Sequence, residues 1–185
     1  MIMKKLMMTL AAVLCCAMTT TVFTSCGSDD DKPAQKPNEY AIVAVATNYT
    51  VTTTDEMLST YDITIDYYDA DGTLKNHLMT EKSWDLTVTA AVPTSAGMRI
   101  RMNLKEGKDL SAIGYVKYLC WIKHSLLTAK GQKVNEWGEG DDINEHIRQS
   151  SRAEWLEEVS TIGARRYLWD FDAAGNATGG KGNWR

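Results

Sequence analysis

Few residues in this 185-residue chain are of types and spacings that do chemistry. The three histidines, His77, His124 and His146, stand far apart, and no two have the spacing of a local metal pair. Gly-x-Ser-x-Gly, His-Glu-x-x-His, the phosphate-cradling Gly-Lys-Ser/Thr loop and Cys-x-x-Cys are all absent. Cys120 has the chemistry of a nucleophile, but it shares a predicted strand face with Val116, Tyr118 and Ile122. A thiol there is expected to be buried and unreactive, because the thiolate needs a nearby cation or helix start. Asp69-x-Asp71-Gly72 begins like a calcium loop, yet the later ligands and the closing Glu are missing, so a hairpin turn is expected. Glu136, Glu139, Asp141, Asp142 and Glu145 crowd oxygen ligands into ten residues, where a solvated acidic loop is the simpler expectation. No catalytic residue, metal ligand or cofactor site is assigned.

The six tryptophans are the most suggestive feature. Trp84 and Trp169 fall on core-facing strand positions and Trp155 on the apolar face of a helix. Trp121, Trp137 and Trp184 do not, and these three are the candidate ligand contacts. An indole beside carboxylates and amides can stack on a sugar ring or anchor a protein interface.

The elements that must position these residues are mostly strands. Tyr61-Ile63-Ile65-Tyr67, Trp84-Leu86-Val88-Ala90, Met98-Ile100-Met102-Leu104 and Tyr167-Trp169-Phe171 each alternate with polar residues, although Leu168 breaks the polar side. Period 2 lets one sheet face meet a core and the other meet water. Residues 40–53 are β-rich and apolar on both faces at their start. Residues 115–128 fit a strand or a helical stripe, and their aromatic and β-branched content favours a long central strand. Turn signals stand at Asp69–Gly72, Ala129–Gln132 and Asp172–Asn176. Residues 138–144 read as a loop. Ser151-Arg152-Ala153-Glu154 matches a capping box, Trp155, Leu156, Val159 and Ile162 follow at helical spacing, and Gly163 can end that helix. The pattern predicts a mainly β protein: an antiparallel β-sandwich of immunoglobulin-like type with one late amphipathic helix.

The N-terminus differs in kind. Lys4 and Lys5 precede the uncharged run Leu6–Val22, and Thr24-Ser25 places small residues before Cys26, which is the pattern of a bacterial secretory signal. Phe23-Thr24-Ser25-Cys26 resembles the lipobox of bacterial lipoproteins, which implies cleavage before Cys26 and acylation of that residue. Ser28, Asp29, Asp30 and Asp31 resemble the acidic tag of surface lipoproteins of Bacteroides-type bacteria, and the whole chain loosely resembles their uncharacterised immunoglobulin-like lipoproteins. The resemblance implies residues 1–25 as signal, 26–39 as lipidated Cys and acidic tether, and 40–185 as one domain at the outer membrane, facing the exterior. Loss of residues 1–25 removes two Lys and no acid, taking the formal charge from −4 to −6. It leaves only Cys26 and Cys120, so no internal disulfide is available once Cys26 is lipidated.

With 20 basic against 24 acidic residues, the chain is not a generally basic nucleic-acid binder. The expected function is a lipid-anchored, non-enzymatic surface module whose partners are the membrane, through its lipid, and a glycan or envelope protein. A structural or accessory subunit of an envelope complex is the alternative, and a glycan-acting enzyme the third.

Overall fold

In the computed structural model, which describes residues 38–109, 113–146, 157 and 165–185, the alternating runs are strands. The elements begin with β1 (Ile42–Thr52), the short helix α1 (Asp55–Thr60), β2 (Tyr61–Tyr68), β3 (Leu74–Leu78) and β4 (Ser83–Ala91). They continue with β5 (Thr94–Leu104), β6 (Tyr115–Thr128), β7 (Lys133–His146), β8 (Arg166–Phe171) and β9 (Ala177–Lys181). The strands make two antiparallel sheets, ordered β4-β1-β6-β7 and β3-β2-β5-β8-β9, whose inner faces pack together. This is the mainly β sandwich that the period-2 runs predict. The core draws Val45, Tyr49 and Val51 from β1, Ile63 and Ile65 from β2, and Met98 and Ile100 from β5. Val116, Tyr118 and Ile122 of β6 and Tyr167 and Phe171 of β8 complete it.

Residues 115–128 form the single strand β6, flanked by β1 and β7. A central strand buries one face along its whole length, which matches the inward series from Val116 to Thr128. The three turns stand where their residues predict them. Gly72 N–H donates to the Asp69 carbonyl at 2.9 Å, Gly131 N–H to that of Thr128 at 2.7 Å, and Gly175 N–H to that of Asp172 at 3.0 Å. The Asp71 carboxylate is occupied by the Thr73 backbone N–H at 2.9 Å and by its hydroxyl, so it serves its own turn.

Residues 138–144 are not a loop. They lie within β7, paired to residues 117–123 of β6. The glycines and acids that suggest a loop are strand residues, with Ile143 among them reaching the core. The helix α1 was not foreseen: six residues give almost no periodicity, and its start is set by Thr54, whose Oγ1 accepts from Met57 N–H at 3.2 Å. Of the predicted helix at 151–163 only Glu157 is described; it is helical and exposed, and the rest lies outside the described residues. The signal, Cys26 and the acidic tag at 28–31 also lie outside them.

Candidate functional site

The outer face of the four-stranded sheet is built from short side chains. β1 contributes Ala44, Ala46, Asn48 and Thr50, and β4 contributes Asp85, Thr87 and Thr89. On this floor stands Trp121 of β6, which is 40% exposed. Its ring lies across the edge strand β7 because β7 carries no side chains there. Gly140 pairs with Trp121 and Gly138 with Lys123. A Cβ on Gly138 would sit 2.7 Å from the indole Nε1, and one on Gly140 2.6 Å from Cε3, closer than carbon atoms approach. Two glycines at alternate positions of one strand thus make a flat seat, with one indole face down and the other open to solvent.

Beside the plate runs a shallow groove of about 240 Å³, lined by Ala46, Asn48, Thr87, Lys123, Ser125, Lys133 and Glu136. Lys133 and Glu136 are an odd number of residues apart, and an unbroken strand would place them on opposite faces. A β-bulge resolves this. Asn135 has φ 56°, and the register slips between Ser125 and Leu126. The polar groups of the groove hold one another in place. Lys123 Nζ lies 2.6 Å from Glu136 Oε1, and Ser125 Oγ donates to Glu136 Oε2 at 2.9 Å. These two contacts hold the Glu136 carboxyl below its ordinary range. Asn48 Nδ2 donates to Asp85 and to Thr87, each at 3.1 Å. An apolar plate next to oriented donors and acceptors suits a ligand that is itself amphipathic, such as a pyranose with its C–H face and hydroxyl rim.

The three candidate tryptophans do not converge. Trp137, cross-strand neighbour of His124, faces inward and is half-buried, with its ring 5.5 Å from that of His124 and 6.0 Å from that of Phe171. Trp184 lies on the outside of the other sheet, with Tyr68 at 5.8 Å and the Arg99 guanidinium 4.9 Å from its ring centroid. Trp84 and Trp169 take inward positions as predicted, and Trp155 is outside the described residues.

The acidic group is divided by the same alternation. Glu136 and Asp142 point outward, while Glu139 and Asp141 point into the open side of the sandwich between the edge strands β7 and β9. There Asp141 meets Lys181 Nζ at 2.7 Å and Arg165 Nε at 3.5 Å and accepts from the Tyr167 hydroxyl, while Glu139 accepts from Lys181 N–H at 3.2 Å. Burial pushes the Asp141 carboxyl upward, but these partners outweigh it and hold the group below its ordinary range. The seam closes the sandwich edge with ion pairs. Among the described residues no three His, Cys, Asp or Glu converge as metal ligands.

Cys120 faces the core opposite Asp141, fully buried, and burial pushes its thiol up to about 12. It stays protonated. His124 is also fully buried; its Nδ1 lies 3.0 Å from Thr47 Oγ1, and its Nε2 has no partner among the described residues. Of the groups in and beside the groove, Asn48, Thr87, Lys133 and the two seat glycines carry no signal in the linear chain; they join Trp121 only through strand register. The chain matches no protein-family model, no curated protein and no solved structure.

Proposed function

We propose that this protein is a lipid-anchored module on the outer surface of a bacterial outer membrane, and that it binds a glycan chain on the outer face of its four-stranded sheet. The observation that carries the binding assignment is Trp121, laid on the Gly138/Gly140 seat with one ring face open and a polar groove at its side. Stacking removes the C–H face of a sugar from water and adds many dispersion contacts, while the groove takes hydroxyls from the same chain. The polar groups are already oriented by Glu136 and Asp85, so binding orders few side chains.

Replacing Trp121 with Ala removes the plate and leaves the groove. The expected loss is about 2 kcal/mol, roughly thirtyfold in affinity, measured with the full chain on an array of bacterial and host polysaccharides. Unchanged binding in the variant, or no glycan bound by the native protein, would sink the assignment. A co-purifying envelope protein released by the same substitution would move the reading to an accessory subunit.

The anchor rests on the residues around Cys26 and the acidic tag at Ser28, Asp29, Asp30 and Asp31. Each buried acyl methylene contributes about 0.8 kcal/mol, so a Cys bearing several chains is held durably. Cys26→Ala is expected to shift the protein from the membrane pellet to the soluble fraction, and full retention would refute acylation. Protease treatment of intact cells should digest the domain. Protection would place it on the periplasmic side.

A further inference from the structure

The outer face of the five-stranded sheet carries a second hollow, unrelated to the Trp121 plate. Leu168 is the residue that breaks the polar alternation of β8, and it is buried although it points away from the core. Its cross-strand neighbours are Gly97 on β5 and Gly180 on β9. A Cβ on Gly97 would come within 3.0 Å of Leu168 Cδ1, and one on Gly179 would run into the Leu168 carbonyl. The strands beside Leu168 are therefore stripped of side chains, leaving a depression in the sheet.

The chain after β9 then folds back to wall it. Gly182 N–H donates to the Arg166 carbonyl at 2.9 Å, and Trp184 stands tilted against Tyr68 with the Arg99 guanidinium over one face of its ring. Arg99 is itself held by Asp66 Oδ2, through Nε at 3.0 Å and Nη2 at 2.7 Å. The result is a hollow of about 300 Å³ with Leu168 and Gly179 as floor and Asp170, Thr178, Asn183, Trp184 and Arg185 as walls. That is the low end of ligand-pocket volumes, about 300–1,000 Å³, with room for one ring and not for a chain.

The wall chemistry selects the class of ligand. Asp170 accepts from Ser95 Oγ at 2.6 Å and pairs with Arg185, so each carboxylate oxygen keeps a free lone pair and the local charges cancel. The Asn183 amide brings two donors and an acceptor to the wall. Neutralised charge disfavours an ionic ligand, and a carboxylate, an amide and a hydroxyl around an indole match a neutral polyol ring. We infer that this hollow is a second binding site that takes a single neutral hexopyranose, the terminal residue of a glycan, with hydroxyls on Asp170, Asn183 and Thr178 and its apolar face on Trp184.

The test is saturation-transfer NMR on the full chain with the methyl glycosides of glucose, galactose, mannose, N-acetylglucosamine, fucose and rhamnose. At least one should receive saturation, Trp184→Ala should abolish it, and Asp170→Asn, which keeps the shape, should weaken binding at least tenfold. Thr178→Val, which removes one hydroxyl, guards against loss through misfolding and should weaken it several-fold. Trp121→Ala should leave this signal intact, so failure here is distinct from failure of the plate. No transfer from any of the six glycosides, transfer insensitive to Asp170→Asn and Thr178→Val, or loss in Trp121→Ala alone would overturn the site.

Discussion

Lowering the pH from 6.5 to about 4 is expected to remove about 3 kcal/mol from the stability of the folded domain through His124 alone. The imidazole is fully buried between Thr47 and Trp137 in its own sheet and beneath Trp169 and Phe171 of the other. Burial disfavours the charged form and brings its pKa down from 6.5 to about 4. The folded-state value is depressed, so the stabilisation is fully present above 6.5. As pH falls below that, the unfolded chain takes up a proton that the folded one refuses, and stability drops until the folded form titrates near 4. The orphaned Nε2 sharpens the effect, since the imidazolium carries an N–H there with no acceptor among the described residues. Urea titrations at half-unit pH steps should show the midpoint falling across this window. His124→Gln, neutral throughout, should start from a lower stability and lose the slope. A native protein whose midpoint is flat between pH 6.5 and 4 would contradict the assignment. The carboxylates of Asp66 and Asp141 are held below their ordinary values, so what they contribute is lost only at lower pH.

Asp66→Ala is the second large effect, with an expected cost of about 2–3 kcal/mol, or roughly 4–12 °C in Tm. Asp66 is 3% exposed although it points outward from β2, because two arginines of β5 close over it. Arg99 and Arg101 together give its carboxylate four hydrogen bonds of 2.7–3.0 Å. Burial pushes this carboxyl upward, and the hydrogen bonds and charges of Arg101 and Arg99 more than reverse it. Its contribution is therefore present above the ordinary Asp value and is lost as pH falls through the lower folded one. Truncation leaves two adjacent guanidinium groups facing each other without their anion. Breaking a buried pair costs about 3–5 kcal/mol, and the smaller figure here reflects arginine side chains that are 34% and 44% exposed and can be rehydrated. The change also frees Arg99 from the position in which it backs Trp184. A weaker sugar signal at the Leu168 hollow should accompany the thermal shift. A variant that melts within 1 °C of the native protein would show the fork to be energetically idle.

Much of the sandwich is legible in the linear chain because its strands obey one rule, burial on alternate residues. The series at 61–67, 84–90, 98–104 and 167–171 are inward-facing as read, with exposure rising only at strand ends such as Leu104. The rule fails where something other than apolar packing satisfies a strand. In β7 the inward positions include Asp141, paired with the Lys181 ammonium, and Glu139, which accepts from the Lys181 backbone N–H, and the outward ones include two glycines covered by an indole. Such a segment has no hydrophobic signature and looks like a loop. β9 (Ala177–Lys181) is short, Gly-rich and exposed, and its pairing to β8 leaves no mark in its composition. Leu168 and Asp66 appear as errors of alternation until the returning C-terminal segment and the arginine fork supply their cover.

By itself, the sequence determined the strand-forming runs, the hairpin turns at Asp69, Ala129 and Asp172, and the inertness expected of a thiol among apolar neighbours at Cys120. These follow from local periodicity and residue chemistry, which act over a few residues. It also contains the signals around Cys26 on which the proposed address rests. Only the tertiary structure decided where the tryptophans go. Alternation reads Trp121 on the face opposite Cys120, but nothing in the chain says that it lies on a glycine seat, that Trp137 turns into the core or that Trp184 walls a hollow on the opposite sheet. The difference comes from strand pairing, from the bulge at Asn135 ahead of Trp137, and from the return of the chain after β9 that seats Trp184. A one-residue slip inverts every side chain, so what each outward face meets across the sheet is fixed only once the strands are paired.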